Sequence, residues 1–379
     1  MKKTFFSLAI VAVSMLVLTA CSTKSETTEV NNFRINRGTN LSHWLSQSEE
    51  RGEARRQHIQ EDDFERLEKL GFDFVRIPID EVQFWDEDGN KLPEAWDLLT
   101  NAIDLAIKHH LRVVVDLHII RAHTFSEKAP NTLFTSEEAQ QGLINLWYQL
   151  SDVLKKYSND YVAYEFMNEP VAKEHEQWNV VVEKVHKALR KVEPQRTLVI
   201  GSNRWQSYDT IKYLRVPEGD KNLILSFHYY NPMLLTHYGA PWASVGHYKG
   251  KINYPGIMLT QEDYDAAPEQ LKPELKPFTT QVWNKDKIRE DFKDAIASAK
   301  KYGLQLFCGE WGVYEPVDRV LAYRWYKDML EIFDEFDIAW TTWCYDGDFG
   351  FWDQRTEDYK DKPLVDLLMS GKGLEDKKK

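Results

Sequence analysis

Two glutamates stand out because of what precedes them. The run Tyr161-Val-Ala-Tyr-Glu-Phe-Met-Asn168-Glu169-Pro170 is largely apolar and strand-like until it ends in an amide, a carboxylic acid and a proline. Pro170 cannot donate to a strand ladder, and it restricts the residue before it to extended or turn geometry. Glu169 is therefore expected where a strand gives way to a loop, on a stiff backbone. The run Leu304-Gln-Leu-Phe-Cys-Gly-Glu310-Trp311-Gly312 has the same form and closes on Glu310. Two carboxyl groups at the ends of different strands can share the breaking of a glycosidic bond, one giving a proton while the other attacks or activates water.

Bringing them together is the task of the elements between. Strand-like and helix-like runs alternate along the chain. Strand candidates are Phe33–Leu41, Phe72–Ile79, Leu111–Leu117, Tyr161–Met167, Thr197–Gly201, Leu223–Phe227, Leu304–Gly309 and Ile338–Trp343. Helices are expected over Ile59–Leu70, Trp96–His109, His175–Val192, Ile288–Tyr302 and Asp318–Phe336, with a weak one near Tyr208–Leu214 and a short one at Leu364–Met369. Thr135 and Glu138 have capping-box spacing and open a helix reaching about Tyr157. Eight strand-then-helix units with mainly apolar strands argue for a parallel (β/α)8 TIM barrel over residues 33–370. An open doubly wound sheet usually brings a Gly-rich phosphate turn after its first strand, and none is present. A long insertion after strand six, Met233–Lys287, is expected to hold short helices, because a coil of that length is unusual.

In such barrels the strand C-termini carry the chemistry. Here those ends carry Arg76, His118, Asn168, Glu169, His228, Tyr230, Glu310 and Trp343. Taken singly, each has a structural explanation: an ion pair, a satisfied core histidine, a core tryptophan. Recurrence of polar groups at the same end of strand after strand is harder to explain that way. The net charge of −12, with no basic cluster longer than Lys377-Lys378-Lys379, argues against nucleic acid, whose binding rests on phosphate neutralisation. An aromatic share of 13% with 13 Trp fits either a large aromatic core or a cleft of rings that stack on sugars.

The N-terminus reads as a targeting signal over residues 1–21. Lys2 and Lys3 precede the apolar run Phe5–Leu18, which is short for a membrane span, and the run ends in Leu18-Thr19-Ala20-Cys21. This resembles the lipobox of bacterial lipoproteins, which implies lipidation of Cys21 and a lipid-anchored place in the bacterial cell envelope. Residues 22–32 then form a polar tether, and 371–379 a charged tail. Cys308 and Cys344 lie in apolar strand-like runs; an exported protein could join them in a disulfide, and buried free thiols are the expectation.

The motifs Val75-Arg76-Ile-Pro78, Asp116-Leu-His118, Phe166-Met-Asn168-Glu169-Pro170, His228-Tyr229-Tyr230 and Gly309-Glu310-Trp311-Gly312, in this order, resemble glycoside hydrolase family 5. The resemblance spans residues 33 to 352. It implies a retaining enzyme of the endo-β-1,4-glucanase type acting on β-linked oligo- or polysaccharide, with no metal or organic cofactor. It implies Glu310 as nucleophile and Glu169 as acid/base. Arg76 would keep Glu310 ionised, Tyr230 would orient it, and Asn168 would hold the sugar 2-hydroxyl. His118 and His228 would complete the polar floor, and Trp343 would support the sugar ring. Mannan, xyloglucan or an exo-acting β-glucosidase would keep the same mechanism, and a silent glycan-binding lipoprotein is a more distant alternative. Two departures fall near the cleft: Ile119-Ile-Arg-Ala-His123 stands where many relatives have His and then Pro-Gly, and His43 stands where many have a small residue.

Other matches carry less. Asp348-Phe349-Gly350 lacks the companion kinase signatures. Asp86–Asn90 places its glycine too early for a calcium loop and reads as a turn. Asn40-Leu-Ser42 is a sequon at a strand end facing the cleft, and Asp116-x-His118 lacks further metal ligands.

Overall fold

The apolar strand runs pair in sequence order and close on themselves. A computed structural model of the protein, describing residues 30–370, shows one closed barrel of eight parallel strands. These are β1 (Arg37–Asn40), β2 (Phe74–Asp80), β3 (Arg112–Ile119), β4 (Val162–Glu165), β5 (Leu198–Gly201), β6 (Leu223–His228), β7 (Gln305–Trp311) and β8 (Ala339–Thr342). β1 pairs with both β2 and β8, which seals the ring. Helices pack outside it, so the strands are covered on both faces, and most of them read as largely apolar runs; β1, Arg37-Gly-Thr-Asn40, is the exception. Cys21, the tether up to residue 29 and the 371–379 tail lie outside the described residues.

The helices begin and end where local chemistry dictates. Gly71 and Gly303 terminate Glu61–Leu70 and Lys293–Tyr302 in the left-handed conformation. Asp318 caps Arg319–Phe336 by accepting from Val320 N–H. Three expectations need correction. Ser136, not Thr135, caps the Glu137–Leu154 helix, accepting from Ala139 N–H. The weak helix at Tyr208–Leu214 is a single 3-10 turn, Ile211–Tyr213. The helix expected over Ile288–Tyr302 is two, Lys285–Asp291 and Lys293–Tyr302, meeting at Phe292. The insertion contains short helices, as its length demanded, and a two-stranded ribbon pairing Gly256–Ile257 with Val282–Trp283.

Inside the barrel, Phe33, Ile35, Phe74, Val114, Ala163, Val199, Ile224, Phe307 and Ala339 form a separate apolar cluster. It plugs the end where the strands begin. The described chain also enters there: Asn31 N–H donates to Asn222, and its side-chain amide donates to Gln195 O and Thr197. All three partners precede or open a strand. Most aromatic residues are core. Of the 13 tryptophans only Trp205 and Trp242 are not buried. Cys308 and Cys344 are buried free thiols.

Candidate active site

Because side chains alternate along a strand, the residue two beyond each plug residue that lies on a strand also faces inward. There the lining turns polar. Arg76, two after Phe74, is wholly buried. Its Nε donates to Glu165 (2.7 Å), and Nη1 to Asn40 Oδ1 (2.9 Å) and Glu310 Oε1 (3.1 Å). Nη2 donates to Asn168 Oδ1 (2.8 Å) and lies 3.0 Å from Asp116. One guanidinium thus serves five side chains on or just beyond four other strands, β1, β3, β4 and β7, the geometry its rigid fork of donors permits.

Two ladder irregularities aim the functional groups. Between β2 and β3 the pairing steps from Ile79 with Leu117 to Asp80 with Ile119, passing over His118. Between β6 and β7 it steps from Phe227 with Cys308 to His228 with Glu310, passing over Gly309. Bulges of this kind turn side chains out of the regular alternation. Gly309 has no alternative, since a Cβ there would sit 2.9 Å from Ser226 Oγ and 3.0 Å from His228 Nε2.

Glu169 reaches the cleft differently. Pro170 does not hold it extended: its φ is +44°, in the left-handed region that few side-chain-bearing residues adopt. One carboxylate oxygen accepts from His228 Nδ1 at 2.9 Å, and the same Nδ1 is 3.6 Å from Glu310. An oxygen of Glu169, a ring nitrogen of His228 and an oxygen of Glu310 all lie within 4.8 Å of one another. His228 Nε2 is buried without a partner, so the satisfied arrangement puts the proton on Nδ1.

The surroundings of the two carboxyl groups differ. Burial, and then the charge of Glu310, raise the Glu169 carboxyl well above the ordinary range. Burial also raises Glu310, but the Arg76 charge foremost, and a Tyr230 hydroxyl donating at 3.1 Å, oppose it. Glu310 therefore ionises first and Glu169 keeps the proton. Burial and the neighbouring Glu310 charge raise the Tyr230 phenol, which stays a donor. Burial depresses His118 to about 4, so neutral His118 donates from Nδ1 to Asp116 (2.7 Å) and its Nε2 meets Asn168 Nδ2 (3.3 Å). Asp116 itself is pushed by burial to about 7, with Arg76 opposing.

All eight strand-end residues singled out in the sequence gather here. Trp343 lies offset-stacked on His118 (5.6 Å between centroids) and makes a T-shaped contact with His43 (5.8 Å). Three further members were not singled out for the site. Asn40 is buried, donating to Gly309 O and Thr342 O, so the sequon is an architectural amide. Glu165 is the lone charge within the run Tyr161–Met167, and that isolation is its signal in the sequence. Gln206 lies outside any strand and carried none.

The model of the cellulase family, glycosyl hydrolase family 5, matches residues 26–348. The chain belongs to that family. This glycoside hydrolase is 30% identical over 322 residues to Endoglucanase C of Acetivibrio thermocellus, covering 81% of this chain and 90% of that protein. It is 26% identical to Cellodextrinase A of Ruminococcus flavefaciens, covering 80% and 84%. A hyperthermophilic endo-β-1,4-glucanase solved in complex with substrate superposes with a TM-score of 0.70 at 26% identity, over 88% of this chain and 96% of that one.

Proposed function

We propose that this family 5 hydrolase cleaves β-1,4-linked glucan internally and with retention of configuration. The observation that carries the stereochemistry is the approach of Glu169 and Glu310 oxygens to within 4.8 Å. Inverting enzymes hold their carboxyl groups about 6.5–9.5 Å apart to admit a water, retaining ones about 5–5.5 Å. Glu310, held ionised by Arg76 and Tyr230, attacks the anomeric carbon while Glu169 gives its proton to the departing glycosidic oxygen. Bonding to the sugar removes the Glu310 charge that had raised the Glu169 carboxyl, so Glu169 is left as a carboxylate that deprotonates the water releasing the sugar from Glu310. The second hydrogen of Asn168 Nδ2 faces the sugar 2-hydroxyl, and Trp343 supports the ring. The glucan assignment is supported by the endoglucanases among the relatives. Product profiles on cello-, manno- and xyloglucan oligosaccharides, with NMR of the first-formed anomer, test it. Initial release of the inverted anomer would overturn the mechanism, and preferential cleavage of mannan the substrate.

We also propose that Cys21 is lipidated and holds the enzyme to the bacterial cell envelope. The support is the sequence Leu18-Thr19-Ala20-Cys21 after an apolar run. Fatty-acid labelling that persists in Cys21→Ser would refute it.

A further inference from the structure

Residues Arg204, Trp205 and Gln206 follow one another at φ +59°, +59° and +50°. Three successive side-chain-bearing residues in the left-handed region are strained, and such conformations persist only where the surroundings over-determine them. Here the surroundings are the segment that carries Glu169. Trp205 N–H donates to Pro170 O (3.2 Å). Ala172 N–H donates to Asn203 Oδ1 (2.8 Å), and Asn203 Nδ2 returns a bond to Ala172 O (2.9 Å). Gln206 closes the set: its Oε1 accepts from Glu169 N–H at 2.9 Å.

The other end of the same amide reaches the nucleophile's side. Gln206 Nε2 donates to Glu165 Oε1 (3.0 Å) and to Ser226 Oγ (3.1 Å). Glu165 in turn accepts from Arg76, which donates to Glu310. A continuous path therefore runs from Glu169 N–H through Gln206, Glu165 and Arg76 to the Glu310 carboxylate. Gln206 is fully buried, and a Cβ on Gly201 would fall 2.3 Å from its side chain, so the turn closes directly over bare backbone.

We propose that Gln206 is a positioning residue for proton transfer: it fixes the Glu169 backbone in its left-handed conformation and thereby sets the acid/base carboxyl relative to Glu310. It touches neither sugar nor reacting atoms. The proposal rests on the acid/base reading of Glu169 and deepens it. Gln206→Met keeps the volume and removes all three bonds. Gln206→Glu keeps an acceptor for Glu169 N–H and sets a second carboxyl against Glu165.

The decisive measurement compares two leaving groups. A cello-oligosaccharide needs its departing oxygen protonated, whereas a 2,4-dinitrophenyl β-cellobioside departs without a proton. For Gln206→Met, kcat/KM on the oligosaccharide is expected to fall about 10- to 100-fold, the scale of a misplacement of about 1 Å. On the dinitrophenyl substrate kcat/KM should stay within about threefold, while kcat and KM fall together because base-assisted release of the sugar has slowed. Should Gln206→Met not fold, Gln206→Leu, which also offers Glu169 N–H no acceptor, is read by the same pair of substrates and is expected to show the same direction, whereas Gln206→Glu, which keeps that acceptor, should lose less on the oligosaccharide. Equal loss on both substrates, or no loss on either, in a variant that melts near wild type overturns the role of Gln206. A wild-type enzyme that cleaves neither substrate overturns the glycosidase reading itself, and this inference with it.

Discussion

The lower and upper halves of the barrel interior are built from the same strands, two residues apart. Phe74, Val114, Ala163, Val199, Ile224, Phe307 and Ala339 fill the lower layer. Two positions on, the inward residues are Arg76, Asp116, Glu165, Gly201, Ser226, Gly309 and Thr341. The lower layer obeys packing alone, so its members need only suitable volume and shape. The upper layer obeys charge accounting: one guanidinium stands against Asp116, Glu165 and Glu310, and each carboxyl is raised by burial. A change of volume in the first should cost stability and spare chemistry. A change of charge in the second should cost both or chemistry alone.

The largest expected effect lies in the upper layer. Glu310→Gln should lower kcat roughly 10⁴-fold or more with a melting temperature near wild type, because Arg76 keeps its bonds to Glu165, Asn40 and Asn168. Substantial turnover in that variant would break the comparison at its strongest point. Arg76→Met should remove activity and also destabilise by about 3–5 kcal/mol in denaturant unfolding, since it leaves buried carboxylates unpaired. A fully stable variant would mean those carboxyls are already neutral.

Acid should act on the mouth and not on the plug. Burial holds His118 and His237 at about 4 and His123 at about 3. A histidine kept neutral by the fold binds protons more readily when unfolded. Its stabilising contribution is therefore complete above about pH 6.5 and is lost as pH falls toward the folded value. Melting temperature should drop between pH 6.5 and 4, and drop less steeply in His123→Gln, whose Oε can still accept from Val171 N–H as His123 Nε2 does. An unchanged slope would remove His123 from this account. The smallest effect belongs to the lower layer. Ile224→Val should cost about 0.5–1.5 kcal/mol and leave kcat/KM within about twofold.

The same division explains what the sequence could show. Strand order and the polar strand ends were legible because both follow period and position: apolar runs of strand length, each stopping on a hydrogen-bonding or charged residue. Glu165 was harder, since a charge one step inside an apolar run reads as an exception until its partner Arg76 is placed across the barrel. Asn40 could be placed at a strand end facing the cleft, but its role is set by Gly309 and Thr342, 269 and 302 positions away. The conformation of Glu169 was not accessible at all. Pro170 excludes the helical region but does not choose between extended and left-handed, and what chooses is Gln206, 37 residues on. Local grammar located the chemistry; distant amides oriented it.

The clamp on Asn31 has a mechanical consequence for how the enzyme meets a polymer. It pins the incoming chain to the face where the strands begin, while the cleft opens where they end. Whatever engages the chain ahead of Val30 grips the barrel by its heel. The entering segment at Asn31 and the cleft therefore lie on opposite faces of the barrel, and neither crowds the other.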